Sequence, residues 1–99
     1  MSGDIANLHI VEIDFPDLQE KFIEKLHLKI EEIEASLQSH SFAEVVRLAH
    51  TLRGSCGMYG LPTLCDLAGE MEENGKNGKT ESFNELLERM KGINQILTA

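Results

Sequence analysis

Residues 41–60 run SFAEVVRLAHTLRGSCGMYG. Val45, Ala49, Leu52 and Cys56 recur at steps of four, three and four, which is the spacing of one apolar stripe along an α-helix. Ser41 and Glu44 stand three apart at its start. That is the pattern of a capping box, in which hydroxyl and carboxylate satisfy each other's backbone amides, so a helix is expected from near Phe42. The same helix is expected to fray through Gly57 to Gly60. His50 lies off the stripe, about 100° round the helix from Ala49 and about 160° from Leu52, on the side away from a core.

The pattern repeats on both sides of this stretch. Upstream, Phe15-Pro16-Asp17 has the form of a helix start, with proline in the first turn and Asp14 and Asp17 near the positive end of the helix dipole. Leu18, Phe22, Leu26, Ile30, Ile33 and Leu37 then make a stripe. Downstream, Pro62 opens a third helix striped by Leu61, Leu64, Ala68 and Met71, with Cys65 beside it. Asn74-Gly75-Lys76-Asn77-Gly78 is a helix stop followed by a loop. Ser82 and Glu85 form a second capping box before the stripe Phe83, Leu86, Met90, Ile93 and Leu97, with Leu87 alongside. Four amphipathic helices with short connections predict an all-α protein, an antiparallel up-down-up-down four-helix bundle. One domain over residues 1–99 is expected, with 14–99 as the bundle and 1–13 as an N-terminal segment. Ile5, Leu8 and Ile10 in that segment predict a short helix or extended piece over one end of the bundle.

Composition sets the limits of function. A formal net charge of −8 argues against nucleic acid and against an anionic membrane surface. No apolar run approaches a membrane span of about 18 residues, and the first residues lack the pattern of a signal peptide. Cys56 and Cys65 both fall at apolar helical positions, so they are expected as reduced core residues rather than a disulfide. A free-standing cytoplasmic chain is the expectation.

The chemistry concentrates around His50. Gly54, Gly57 and Gly60 interrupt the helix at intervals of three, and each glycine in a helix interior costs about 1 kcal/mol relative to alanine. Residues 50, 53, 54 and 57 share one face. That face presents an imidazole, a guanidinium and two positions without side chains. Bare backbone beside an exposed histidine lets another protein come close. The Arg53 guanidinium, one turn on, is placed to pair with an anion attached to the ring. Imidazole in water has a pKa near 6.5, so near neutral pH it is a nitrogen nucleophile without help from a base.

Ala49-His50-Thr51-Leu52-Arg53-Gly54-Ser55, followed by Gly60-Leu61, resembles the signature of the histidine-containing phosphotransfer (HPt) domain family, A-H-x-L-[KR]-G-S-x-x-x-x-G. The resemblance extends over roughly residues 14 to 97. It implies a phosphorelay protein that accepts a phosphoryl group on His50 from a receiver-domain aspartate and passes it to another receiver. Such a protein is a stoichiometric carrier, not an enzyme. Arg53 is expected to stabilise the phosphoryl group, with Ser55 either doing the same or bonding back to its own helix. Gly54 is expected to leave clearance for the partner, Gly57 either clearance or close helix packing, and Ala43 and Arg47 are expected on the docking rim. The implied partners are the receiver domains of response regulators and of hybrid sensor kinases. No cofactor of its own is implied, because the receiver brings Mg²⁺, and a monomer is expected. Arg53 departs from the commoner lysine and keeps charge without shape. The alternative is a helical adaptor that docks receivers without being phosphorylated.

Other features have plainer readings. His9, His27 and His40 are expected at the surface or in loops. Glu24 to His27 is a single E-x-x-H, whereas a di-iron bundle needs two with two further glutamates. His50, Cys56 and Cys65 match no common zinc spacing. The acidic runs Glu31-Glu32 and Glu70 to Glu73 are expected as solvated faces, and Met58 and Tyr59 as core at the helix end.

Overall fold

In a computed structural model, which describes residues 3–6, 8 and 10–99, the four stripes become four long helices. A short α1 (Gly3–Ala6) precedes α2 (Pro16–Gln38), α3 (Phe42–Met58), α4 (Pro62–Lys76) and α5 (Phe83–Leu97), with a 3-10 turn at Thr80–Ser82 leading into α5. No strand occurs among the described residues. His9 and the side chain of Ile5 lie outside them.

Each long helix turns its stripe to a shared core. Phe22, Leu26, Ile30 and Ile33 of α2 meet Val45, Ala49, Leu52 and Cys56 of α3. Leu64, Leu67, Ala68 and Met71 of α4 join Phe83, Leu86, Leu87, Met90 and Ile93 of α5 in the same cluster. Helix α2 packs on α3 and α5, α3 packs most extensively on α4, and α4 packs on α5. The result is a helical bundle with a radius of gyration of 12.8 Å, against about 13 Å expected for a compact chain of this length. The apolar stripe of α2 stops short of its predicted start. Leu18 is exposed in the first turn beside exposed Phe15, where the core has ended, and Leu37 is only partly buried.

The helix ends depart from the sequence expectation in four places. Ser41 and Ser82 do occupy N-cap positions, but neither makes a side-chain capping bond. The Ser41 hydroxyl bonds that of Ser39 at 3.0 Å, and Glu44 is taken by Arg47 one turn on. Ser82 Oγ instead accepts from Asn74 Nδ2 at 3.0 Å. Helix α4 also runs into the predicted stop as far as Lys76, and Gly78, two residues on, has a φ of +72° that suits glycine. Finally, α3 stays regular to Met58, which is 71% exposed rather than core. Tyr59 is half-buried and stacks on Phe22 with 4.8 Å between ring centroids.

The N-terminal segment is tied down at two points. Asp4 accepts two 2.7 Å hydrogen bonds from the Arg89 guanidinium of α5. Further on, the Val11 amide donates to the Gly60 carbonyl at 2.8 Å, and Gln19 Nε2 donates to the carbonyls of Val11 (2.9 Å) and Tyr59 (2.7 Å). Gly60 has φ +72°, and a Cβ there would strike the Val11 carbonyl, so both backbone sign and space require glycine.

Candidate functional site

His50 stands on the outer face of α3, with its side chain 73% exposed. Its Nδ1 lies 2.7 Å from Oε2 of Glu72 on α4. Glu72 is only 2% exposed, and it is a charged side chain on an apolar stripe. Arg53 Nη1 donates to its Oε1 at 3.3 Å, and Lys76 Nζ reaches Oε2 at 3.0 Å. Burial pushes the Glu72 carboxyl up, but the hydrogen bonds from Lys76, His50 and Arg53 outweigh burial and hold its pKa at about 2.

An ionised carboxylate only accepts hydrogen bonds, so the His50 Nδ1 facing it carries the proton. In a neutral ring the lone pair is then on Nε2. Glu72 therefore fixes the orientation of the ring and selects its tautomer, in the way a carboxylate orients a catalytic or metal-binding histidine. The arrangement supplies one defined nitrogen nucleophile on an exposed ring, with two cations, Arg53 and Lys76, on the carboxylate that holds it.

The register between α3 and α4 creates this cluster. The paired positions are 46 with 75, 50 with 72, 53 with 69 and 57 with 65, so numbers descend on α4 as they climb on α3. Around His50, Gly54 is open, since a Cβ there would meet nothing within 4 Å. Gly57 is also exposed, and a Cβ there would just touch Cys65 Sγ at 4.0 Å. Ser55 is half-buried and Ala43 is exposed. Arg47 is not part of the cluster. Its guanidinium pairs with Glu44, and it lines a groove with Lys29, Glu32 and Thr51 on the α2 side of α3.

Glu72 and Lys76 are the members of this cluster that sequence reasoning missed. The run Glu70 to Glu73 was expected to be solvated, and for Glu72 that expectation is wrong. Position 72 follows Ala68 by four and Met71 by one, so an acid there falls on the inward stripe of α4. Cys56 is core as expected, and burial pushes its thiol up to about 12. Cys65 is half-buried, and its thiol donates to the Arg53 carbonyl at 3.5 Å. Among the described residues no three His, Cys, Asp or Glu side chains gather as a metal site, and no helix is long and apolar enough to cross a membrane.

The family model of the Hpt domain matches residues 17–99. No curated protein and no solved structure matches the chain. The match takes in all four long helices and the whole cluster around His50. The chain belongs to the Hpt domain family, whose members serve histidine phosphotransfer in phosphorelays.

Proposed function

We propose that this chain is a stoichiometric phosphoryl carrier, with Nε2 of His50 as the atom that bears the phosphoryl group. The observation that carries the reading is the 2.7 Å contact between His50 Nδ1 and the buried, ionised Glu72. It leaves a lone pair on Nε2 of an exposed ring without any proton having to be removed first.

The donor is the aspartyl phosphate of a receiver domain. The Nε2 lone pair attacks phosphorus, the bond to the aspartyl oxygen breaks, and the carboxylate leaves with the electron pair. The ring becomes a cation, protonated at Nδ1 and phosphorylated at Nε2, and Glu72 balances its charge. In the reverse step an aspartate of a second receiver attacks phosphorus, and neutral imidazole leaves with its Nδ1 proton still in place. Phosphoryl transfer of this kind needs mainly positioning and charge neutralisation. Arg53 supplies a cation from this chain. The Mg²⁺ is the receiver's. Gly54 and Gly57 give that receiver room over α3, with Ala43 and Arg47 at the rim.

The same reading takes the chain as a single domain, residues 1–99, acting as a cytoplasmic monomer on receivers of response regulators or hybrid kinases. It also takes the four long helices as an up-down-up-down bundle. The short connections and the descending register of α4 along α3 support that topology.

The test is phosphotransfer from phosphorylated receiver domains to wild type and to His50→Gln, read by intact mass and acid lability. Gain of one acid-labile phosphoryl group by wild type alone is the expected result. Receiver binding with no label in either protein would replace the carrier with an adaptor.

A further inference from the structure

Gly69 sits mid-way along α4, where glycine costs helix stability. Its φ is not in the left-handed region, so the backbone does not ask for it. Its surroundings ask for a small residue. The three atoms nearest to a Cβ placed there all belong to Arg53: Nε at 3.4 Å, Cδ at 3.5 Å and Cζ at 3.8 Å. The arginine side chain crosses from α3 and lies along the bare backbone of α4. In that position its Nη1 reaches Glu72 Oε1, one turn further along the same helix. The guanidinium is also half-exposed and forms one wall of an open cleft of about 310 Å³ shared with Cys65, Asp66 and Glu73.

We propose that Gly69 is a positioning residue for phosphoryl transfer: it provides the slot that holds the Arg53 guanidinium against Glu72 with its outer edge toward the phosphoryl group on His50. The proposal rests on His50 being the phosphoryl carrier. A planar guanidinium suits this slot. It lies flat on a helix without a side chain, gives one N–H to Glu72 and keeps others for an anion. A lysine ammonium has three donors but no rigid fork, so it does not fix the geometry of both. Arginine at 53 and glycine at 69 therefore form a matched pair. An alanine methyl at 69 would rest on the guanidinium at ordinary contact distance. A longer side chain would occupy the guanidinium's place.

The experiment compares Gly69→Ala, Gly69→Leu, Arg53→Ala and the double variant Gly69→Leu/Arg53→Ala. Initial phosphorylation rates are taken with a phosphorylated receiver and with phosphoramidate, a donor too small to clash with a bulkier residue 69. Both single changes at 69 should melt no lower than wild type. Gly69→Ala should keep the wild-type rate. Gly69→Leu should lose about tenfold with both donors, as much as Arg53→Ala, and the double variant should be no slower than either. Multiplying losses in the double variant, or a loss with the receiver alone, would overturn the proposal. Rotation of the Arg53 guanidinium, read by NMR from its Nη–H resonances, needs no donor. It should be hindered in wild type and Gly69→Ala, where Nη1 is held on Glu72, and free in Gly69→Leu, and equal rotation in all three would also overturn the slot. A wild type that takes no phosphoryl from either donor would instead defeat the carrier reading, while the NMR arm still decides the slot.

Discussion

A carboxylate with almost no solvent contact is tolerated only where hydrogen bonds and opposite charge replace the lost water. Glu72 has three such partners, and one of them is the ring of His50. Replacing Glu72 by glutamine keeps the size and removes the charge. Lys76 and His50 Nδ1 both bond Oε2, so the amide oxygen takes that place and the N–H₂ faces the Arg53 guanidinium; what is lost is the charge that balances the ring once it is phosphorylated. Glu72→Gln should therefore slow phosphorylation of His50 by phosphoramidate about 10- to 100-fold, the usual scale for losing a carboxylate that orients a histidine. An unchanged initial rate would show that charge is not what Glu72 contributes. His50, Arg53 and Gly54 were legible in the sequence because they share one helix face. Glu72 lay in plain view on the α4 stripe, but a run of acids suggests water, and only its place relative to Ala68 and Met71 reveals burial.

At the scale of elements, the sequence misled where a local signal met a tertiary one. Asn74-Gly75-Lys76-Asn77-Gly78 has the composition of a loop, yet α4 continues through Gly75 to Lys76. The reason is close packing. A Cβ on Gly75 would collide with Val46 of α3 and approach Phe83 of α5 to 3.0 Å, so the glycine lets three helices come together at that level. Extending α4 by this half-turn also brings Lys76 back over Glu72. Gly75→Ala should destabilise the domain by about 1–3 kcal/mol through overpacking, despite alanine's better helix propensity. Adding Val46→Ala should recover part of that loss, because the two changes share one contact. Urea unfolding of the single and double variants measures both. A stabilised Gly75→Ala would mean that only the loop signal mattered there. The capping boxes failed for a related reason, since the carboxylate of Glu44 had a better partner in Arg47 and the hydroxyl of Ser41 one in Ser39.

The whole molecule is acidic, with a formal charge of −8, so its response to acid combines two opposed effects. Protonating surface carboxylates relieves self-repulsion, whereas protonating a carboxylate that is paired in the fold removes stabilisation. Glu72 belongs to the second class. Its folded pKa of about 2 lies below the ordinary value of 4.5, so its contribution is fully present above about pH 4.5. The contribution is lost as pH falls from there toward 2, because the unfolded chain takes up the proton first. Subtracting the stability of Glu72→Gln from that of wild type, pH by pH, cancels the shared surface carboxylates and isolates this one group. Below about pH 4.5 the difference should shrink steadily, and it should still be shrinking at pH 2. Arg53 and Lys76 stay cationic throughout, so they add no slope of their own over this range. Denaturant unfolding followed by far-UV circular dichroism gives the curve. A difference with no slope between pH 5 and 2 would mean that the cations around Glu72 do not hold its carboxyl low in the folded chain. The account of a fixed His50 tautomer would then lose its electrostatic basis.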